Sequence, residues 1–246
     1  MRRLIYVPII HTSADLGSIA EDVTKRGIAD LGEDIWKRHE RAVEGFWDVI
    51  SNYFDSIDVS GMNPALPKEN RIDYPRKGGV KIYQDGMVAD GEVGQKIVEE
   101  GIKSGSKNYE LISRLLKRGA FLVKTEDLKL VKKERDRLLK ITQAKSIARK
   151  IMAFIKYRLV KGRLLDKRDK FIAKRIDETL NQGETGIIFI GAFHNIKTKL
   201  PKDIQISEIK DADKVREYHR LLPFYNRNKG RFEELSRYLV SEINRP

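Results

Sequence analysis

The sequence predicts an α/β fold: a mainly parallel sheet of about 4–5 strands with flanking helices, in a single domain over residues 1–246 that carries a basic helical insertion at 127–182. Three observations lead there. Short apolar segments alternate along the chain with longer stretches of helical period, the pattern of strands joined by crossover helices. The 246 residues, 40% of them hydrophobic, are enough to bury one full α/β core. The stretch between the third and fourth strands is too long for one crossover helix, so it is read as an insertion.

Taken in order, Arg3–Ile10 reads as a buried strand ending at His11, with Pro8 a residue that prefers edges. The start of the chain also resembles a charged, then apolar leader, but its apolar run is short and a strand explains it better. Residues 12–17 are loop-like. From about 29 to 57, Val43, Phe46, Trp47, Ile50, Phe54 and Ile57 advance by three or four, which is a helix stripe. Residues 60–79 hold prolines and a polar run, and read as loop. Val80–Tyr83 is a short strand, stopped by Gln84-Asp85-Gly86. Helices follow at about 91–103 and 107–118, the second closed by Gly119 after a cationic last turn. Ala120–Lys124 is the third strand.

Within 127–182, breaks are expected near 140–143 and at Gly162, giving three helical segments whose parity permits a parallel next strand. Ile147, Ile151, Phe154, Ile155 and Leu159 form one apolar face, expected to pack inward; Leu165, Asp169, Ile172, Ile176 and Leu180 form another. Gly186–Gly191 is the most apolar strand. Ile204–Ile209 is the last, and helices at about 211–221 and 229–243 close the chain.

Composition excludes several classes. There is no cysteine, so disulfides, thiolate metal sites and thiol nucleophiles are out. With no apolar window of spanning length, the expected location is cytoplasmic. The net charge is +13, and residues 127–182 alone carry 18 basic and 7 acidic side chains. Such a stretch suits a nucleic-acid or anionic-membrane surface. Lys132, Lys133, Arg149, Lys150, Lys156 and Arg158 are the candidate nucleic-acid contacts, with Arg135, Arg137 and Lys145 beside them. No nucleic-acid motif accompanies them, so binding is expected to be weak and non-specific at most.

A metal site would have to use His, Asp, Glu or Asn. In an open parallel sheet, ligands bind beyond the carboxyl ends of the strands. Those ends offer His11, with Asp15 soon after, then Gln84-Asp85, Glu126-Asp127 and His194-Asn195. His39 and His219 lie among charged neighbours on helical stripes and read as surface residues. Asp169 sits on an apolar stripe. It either has a partner, or lies in the first turn of a helix where the macrodipole favours it.

The stretch Arg168-Asp169, helix, Gly186–His194 resembles the TraB/PrgY/Tiki superfamily, whose members show an Arg-Asp-type helix followed by a strand ending in Gly-x-x-His. Here that motif is Gly191-Ala192-Phe193-His194. His11 holds the place of the family's earlier histidine, with Pro8 where its glycine stands, and Glu126 matches the family's acidic residues in kind. The resemblance covers about 40 residues, Arg168 to Ile209. It implies a metal-assisted hydrolase-like site acting on a small-molecule or peptide substrate, since relatives are proposed to be peptidases or esterases, while some bind haem. The expected ligands of a Mn, Co or Zn ion are His11, His194 and Glu126. Asp169 is read as base or orienting group and Arg168 as an anion clamp, with Asp15, Asp85 and Asn195 lining the pocket. The competing reading is a non-catalytic protein that uses helices 127–182 to bind nucleic acid, dock a partner or form a homo-oligomer.

Overall fold

In a computed structural model the described residues are 1–15, 20–57, 79–143 and 146–243. Most of the loop expected at 60–79, part of the loop at 12–17, and Lys145 lie outside them. Five strands, β1 (Arg2–Ile9), β2 (Lys81–Gln84), β3 (Phe121–Val123), β4 (Thr185–Gly191) and β5 (Ile204–Glu208), form one sheet in the order β3-β2-β4-β1-β5. Every pairing is parallel. Pro8 does not exclude β1 from an inner place: it faces Ile190 of β4, beyond the end of the β5 pairing, which stops at Tyr6.

Alternate residues of the strands enter two cores. Ile5, Val7, Ile9, Ile82, Ile187 and Phe189 face one layer. That layer holds α2 (Glu33–Ser56), α3 (Gly91–Lys103), α4 (Lys107–Lys117), α7 (Ala212–Leu221) and α8 (Lys229–Leu239). The α2 stripe is its centre: Phe46, Trp47, Ile50 and Phe54 are fully buried, each contributing about 1.5–3 kcal/mol by area. Leu4, Tyr6, Tyr83, Ile188 and Ile190 face the other layer, which is covered by Ile172, Ile176 and Leu180 from the C-terminal half of α6 (Ile147–Thr179).

Three expectations are corrected. The helix expected from about 29 to 57 begins at Glu33 as α2, and a helix not expected, α1 (Ala20–Leu31), precedes it, parted at Gly32, whose φ of +87° belongs to the left-handed region. The 127–182 stretch holds two helices, α5 (Leu128–Thr142) and α6, and α6 runs unbroken through Gly162. At 33 residues α6 is about 50 Å long. Parity survives because α5 and the first half of α6 form an antiparallel hairpin, while the second half of α6 is itself the crossover into β4. Finally, Ile155 and Leu159 are exposed. A two-helix hairpin standing clear of both cores has nothing among the described residues to cover its far side.

His39 and His219 are also not on solvated faces. The Nδ1 of His39 lies 2.9 Å from the Tyr218 hydroxyl, its ring stacks on Tyr218, and His219 packs against Phe193. Burial pushes the His39 imidazole down to about 4 and that of His219 to about 3. The charged residues around them in sequence hide the place where α2 meets α7.

Candidate metal centre

The strand register fixes the site. Ile9 of β1 pairs with Gly191 of β4, so His11 and His194 emerge beside each other at the carboxyl edge. Gln84 pairs with Phe189, which brings Asp85 to the same place, and the Asp85 amide donates to the Phe189 carbonyl at 2.8 Å. The chain leaves β1 towards the α2 layer, whereas after β4 it places Ile196 in the opposite core. The β1–β4 boundary is therefore a topological switch point, where open α/β sheets leave a crevice.

His194 is the best-anchored group there. Its Nδ1 meets Asp169 Oδ1 at 2.5 Å, and the other Asp169 oxygen accepts the Asn195 amide at 2.9 Å. Asp169 lies deep within α6, not in a first turn, so the macrodipole alternative falls and the partner is His194. With Nδ1 committed, Nε2 turns to Asp85 Oδ2 at 3.4 Å. His11 Nε2 approaches the same oxygen at 3.9 Å from a side chain that is 41% exposed, against 4% for His194. Asp85, Glu126 and His194 each offer a ligand atom, and these atoms lie within 4.8 Å of one another. Asp85, rather than His11, completes this group, and His11 stands at the mouth.

Arg168 is corrected as well. Its guanidinium is buried among Asp85 (Nη2–Oδ1, 2.6 Å), Glu126 (Nε–Oε1, 3.1 Å) and Glu134. All three nitrogens are spent on carboxylates, which leaves none to clamp a substrate anion. Glu134 also accepts from the Tyr157 hydroxyl at 3.1 Å. Glu134 and Tyr157 carried no signal in the sequence, because only the fold of the hairpin brings them to Arg168. Asp15 binds elsewhere: its carboxylate accepts from the Thr12 amide and hydroxyl and from Ser106, the residue that caps α4. It pins the loop that starts at His11. Asn195 contributes its backbone amide while its side chain is exposed.

Electrostatics follow from crowding. Burial disfavours a charged His194, yet Asp85 and Asp169 outweigh it and hold the imidazole up at about 10. Burial lifts Glu126 to about 7 despite Arg168, whereas Asp85, also opposed by burial, is held ionised by His194 and Arg168. Four carboxylates (Asp85, Glu126, Glu134, Asp169) face one guanidinium and one imidazole, an excess of negative charge that a divalent cation would balance.

The absence of a side chain at Gly191 matters to this cluster. A Cβ on Gly191 would sit 3.0 Å from Asp85 Oδ2, 3.6 Å from His194 Cδ2 and 3.7 Å from His11 Nε2, and the Gly191 amide donates to Asp85 at 3.0 Å. Gly191 is not among the glycines with positive φ. Its value is the room it leaves, not a tight turn. A nitrogen-and-carboxylate donor set with no thiolate suits Mn, Co or Zn, so the residues present fit a divalent ion.

Of the basic residues, Lys132, Lys133, Arg149 and Lys156 line a groove between α5 and α6, while Arg158 is exposed without lining it. The Lys150 side chain lies outside the described set. The fold and the cluster define a parallel α/β protein with a buried His/carboxylate centre at the carboxyl edge of its sheet. The chain matches no protein-family model, no curated protein and no solved structure.

Proposed function

We propose that the chain is a divalent-metal-dependent hydrolase of peptidase or esterase type, as the resemblance to the TraB/PrgY/Tiki superfamily implies. The observation that carries this reading is His194, oriented by Asp169 so that Nε2 lies 3.4 Å from Asp85, with Glu126 in the same cluster of ligand atoms. A carboxylate on the far nitrogen of a ligating imidazole fixes its tautomer and raises its basicity. Asp85, Glu126 and His194 would hold the ion, His194 by giving up its Nε2 proton to it, and the ion when bound would supply Lewis-acid polarisation and acidify water.

The protein's own groups divide the remaining work. Arg168 keeps Asp85 ionised and fixes its direction. Glu126, lifted to about 7 by burial, would give up its proton on ligating the ion. His11, half-exposed at the mouth, is placed to touch a substrate entering from solvent.

The test is calorimetric titration with Mn²⁺, Co²⁺ and Zn²⁺, alongside ester and peptide substrates before and after chelation. One ion per chain and chelator-sensitive turnover are expected. Asp169→Asn should weaken metal binding by about 10–100-fold and His194→Ala should abolish it. Ion binding without turnover on any substrate removes the hydrolase reading, and no ion binding removes the metal centre with it.

A further inference from the structure

Apart from Glu134 and Tyr157, which reach Arg168, the outer part of the α5–α6 hairpin takes no part in the metal centre. Among its described residues from 128 to 163, none belongs to either core. Two surfaces run along it. One is a groove of about 680 Å³ between the helices, bordered by seven cationic side chains and one acidic side chain, Asp136. The other is aliphatic: Met152, Ile155 and Leu159 are 54%, 48% and 75% exposed. Spacings of three and four residues set them in one stripe on α6. Met152 also borders the groove, so stripe and groove share an edge.

An occupant must supply negative charge and an apolar medium side by side. Nucleic acid supplies phosphates but nothing for three aliphatic side chains, and it rewards aromatic platforms. The aromatic side chain at the groove, Tyr157, is already bonded to Glu134 with Lys161 near its ring. A second copy of the chain meeting this face would set its cations against their own kind. An amphipathic acidic helix would need a hollow for its apolar face, whereas here the apolar residues form the ridge. An anionic bilayer meets both demands: headgroups attract the cations, and the acyl boundary receives the stripe. No described helix is long and apolar enough to cross a membrane, so the contact is one of lying on its surface.

We propose that the α5–α6 hairpin docks on anionic lipid bilayers, with the groove cations over the headgroups and Met152, Ile155 and Leu159 entering the acyl boundary. This does not depend on the metal centre being catalytic.

The experiment is co-sedimentation of the whole protein with vesicles of phosphatidylcholine alone and with about one-third phosphatidylglycerol. Binding to the anionic vesicles only, falling as salt rises from roughly 0.05 to roughly 0.5 M, is expected. Each lysine at a membrane surface is worth about fivefold in partitioning, so Lys132→Glu with Lys133→Glu should lower it by at least about 25-fold. Ile155→Ser with Leu159→Ser should lower it by at least about tenfold at fixed salt. Lys202→Glu, at the opposite sheet edge before β5, should leave it unchanged. These residues are exposed, and circular dichroism checks that each variant is folded. Vesicle binding that ignores the Ile155/Leu159 pair would reduce the contact to general charge attraction and overturn the proposal. So would the absence of vesicle binding, or displacement of the vesicles by equimolar RNA or DNA.

Discussion

At Gly191 a missing side chain decides what the neighbouring side chains can do. Asp85, His194 and His11 all approach the point where a Cβ would stand. Gly191→Ala should therefore weaken metal binding by at least about tenfold while every candidate ligand stays in place, because a contact of 3.0 Å forces Asp85 to shift by a few tenths of an ångström. Unchanged metal affinity in a folded variant would mean that the space is not the site. His194 and Asp169 were legible in the sequence, one after a buried strand and the other as a carboxylate on an apolar stripe. Asp85 was visible as a strand-end acid, but its central place depends on register. Glu134 was not legible, since a glutamate on a charged helix looks like a dozen others until the hairpin closes on Arg168.

At the scale of elements, period and capping were readable and continuity was not. The bounds of α3 and α4 follow from their stripes, and Gly119, with φ +92°, ends α4 as its position indicates. Gly162 misled because the same residue type stops one helix and is tolerated inside another. A Cβ there would meet nothing within 4 Å. Gly162→Ala should stabilise the protein by about 0.5–1 kcal/mol, raising the melting temperature by roughly 1–4 °C. A lower melting temperature would show that α6 needs the glycine as a joint. The α2–α7 contact carries a pH dependence. His39 titrates at about 4 when folded against 6.5 ordinarily. As pH falls through that window the unfolded chain takes up a proton that the folded chain refuses, so stability is lost from about 6.5 down to about 4. Urea midpoints measured across this range should slope downward, and His39→Gln, which cannot titrate, should flatten part of the slope. An identical slope in the variant would assign the acid limb to other groups.

For the whole molecule, the parallel sheet and the edge that carries the candidate site were predictable from alternation alone, because crossover parity places every strand end on one side, whereas the strand order was not. What sequence alone does not reveal is the reach of the hairpin, set by one helix serving both as hairpin arm and as crossover. An ion held by residues that follow β2, β3 and β4 would tie distant parts of the chain together, so its binding should appear as global stability. At a hundredfold excess over its Kd the gain is about 2.7 kcal/mol, or roughly 5–10 °C in melting temperature. Differential scanning calorimetry with and without metal should show this shift in the wild type and none in His194→Ala.

The unbroken course of α6 gives the molecule a lever. Its fulcrum is taken near Leu164, the first residue along the helix that is buried among those described. The outer arm, back to Ile147, spans about 26 Å, and the inner distance to Arg168 is about 6 Å. A sideways load at the tip therefore arrives at Arg168 and Asp169 as a torque, with about a quarter of the displacement. With helix on both sides of Gly162 and no hinge between tip and fulcrum, whatever tilts the arm also turns the residues that hold Asp85 and His194.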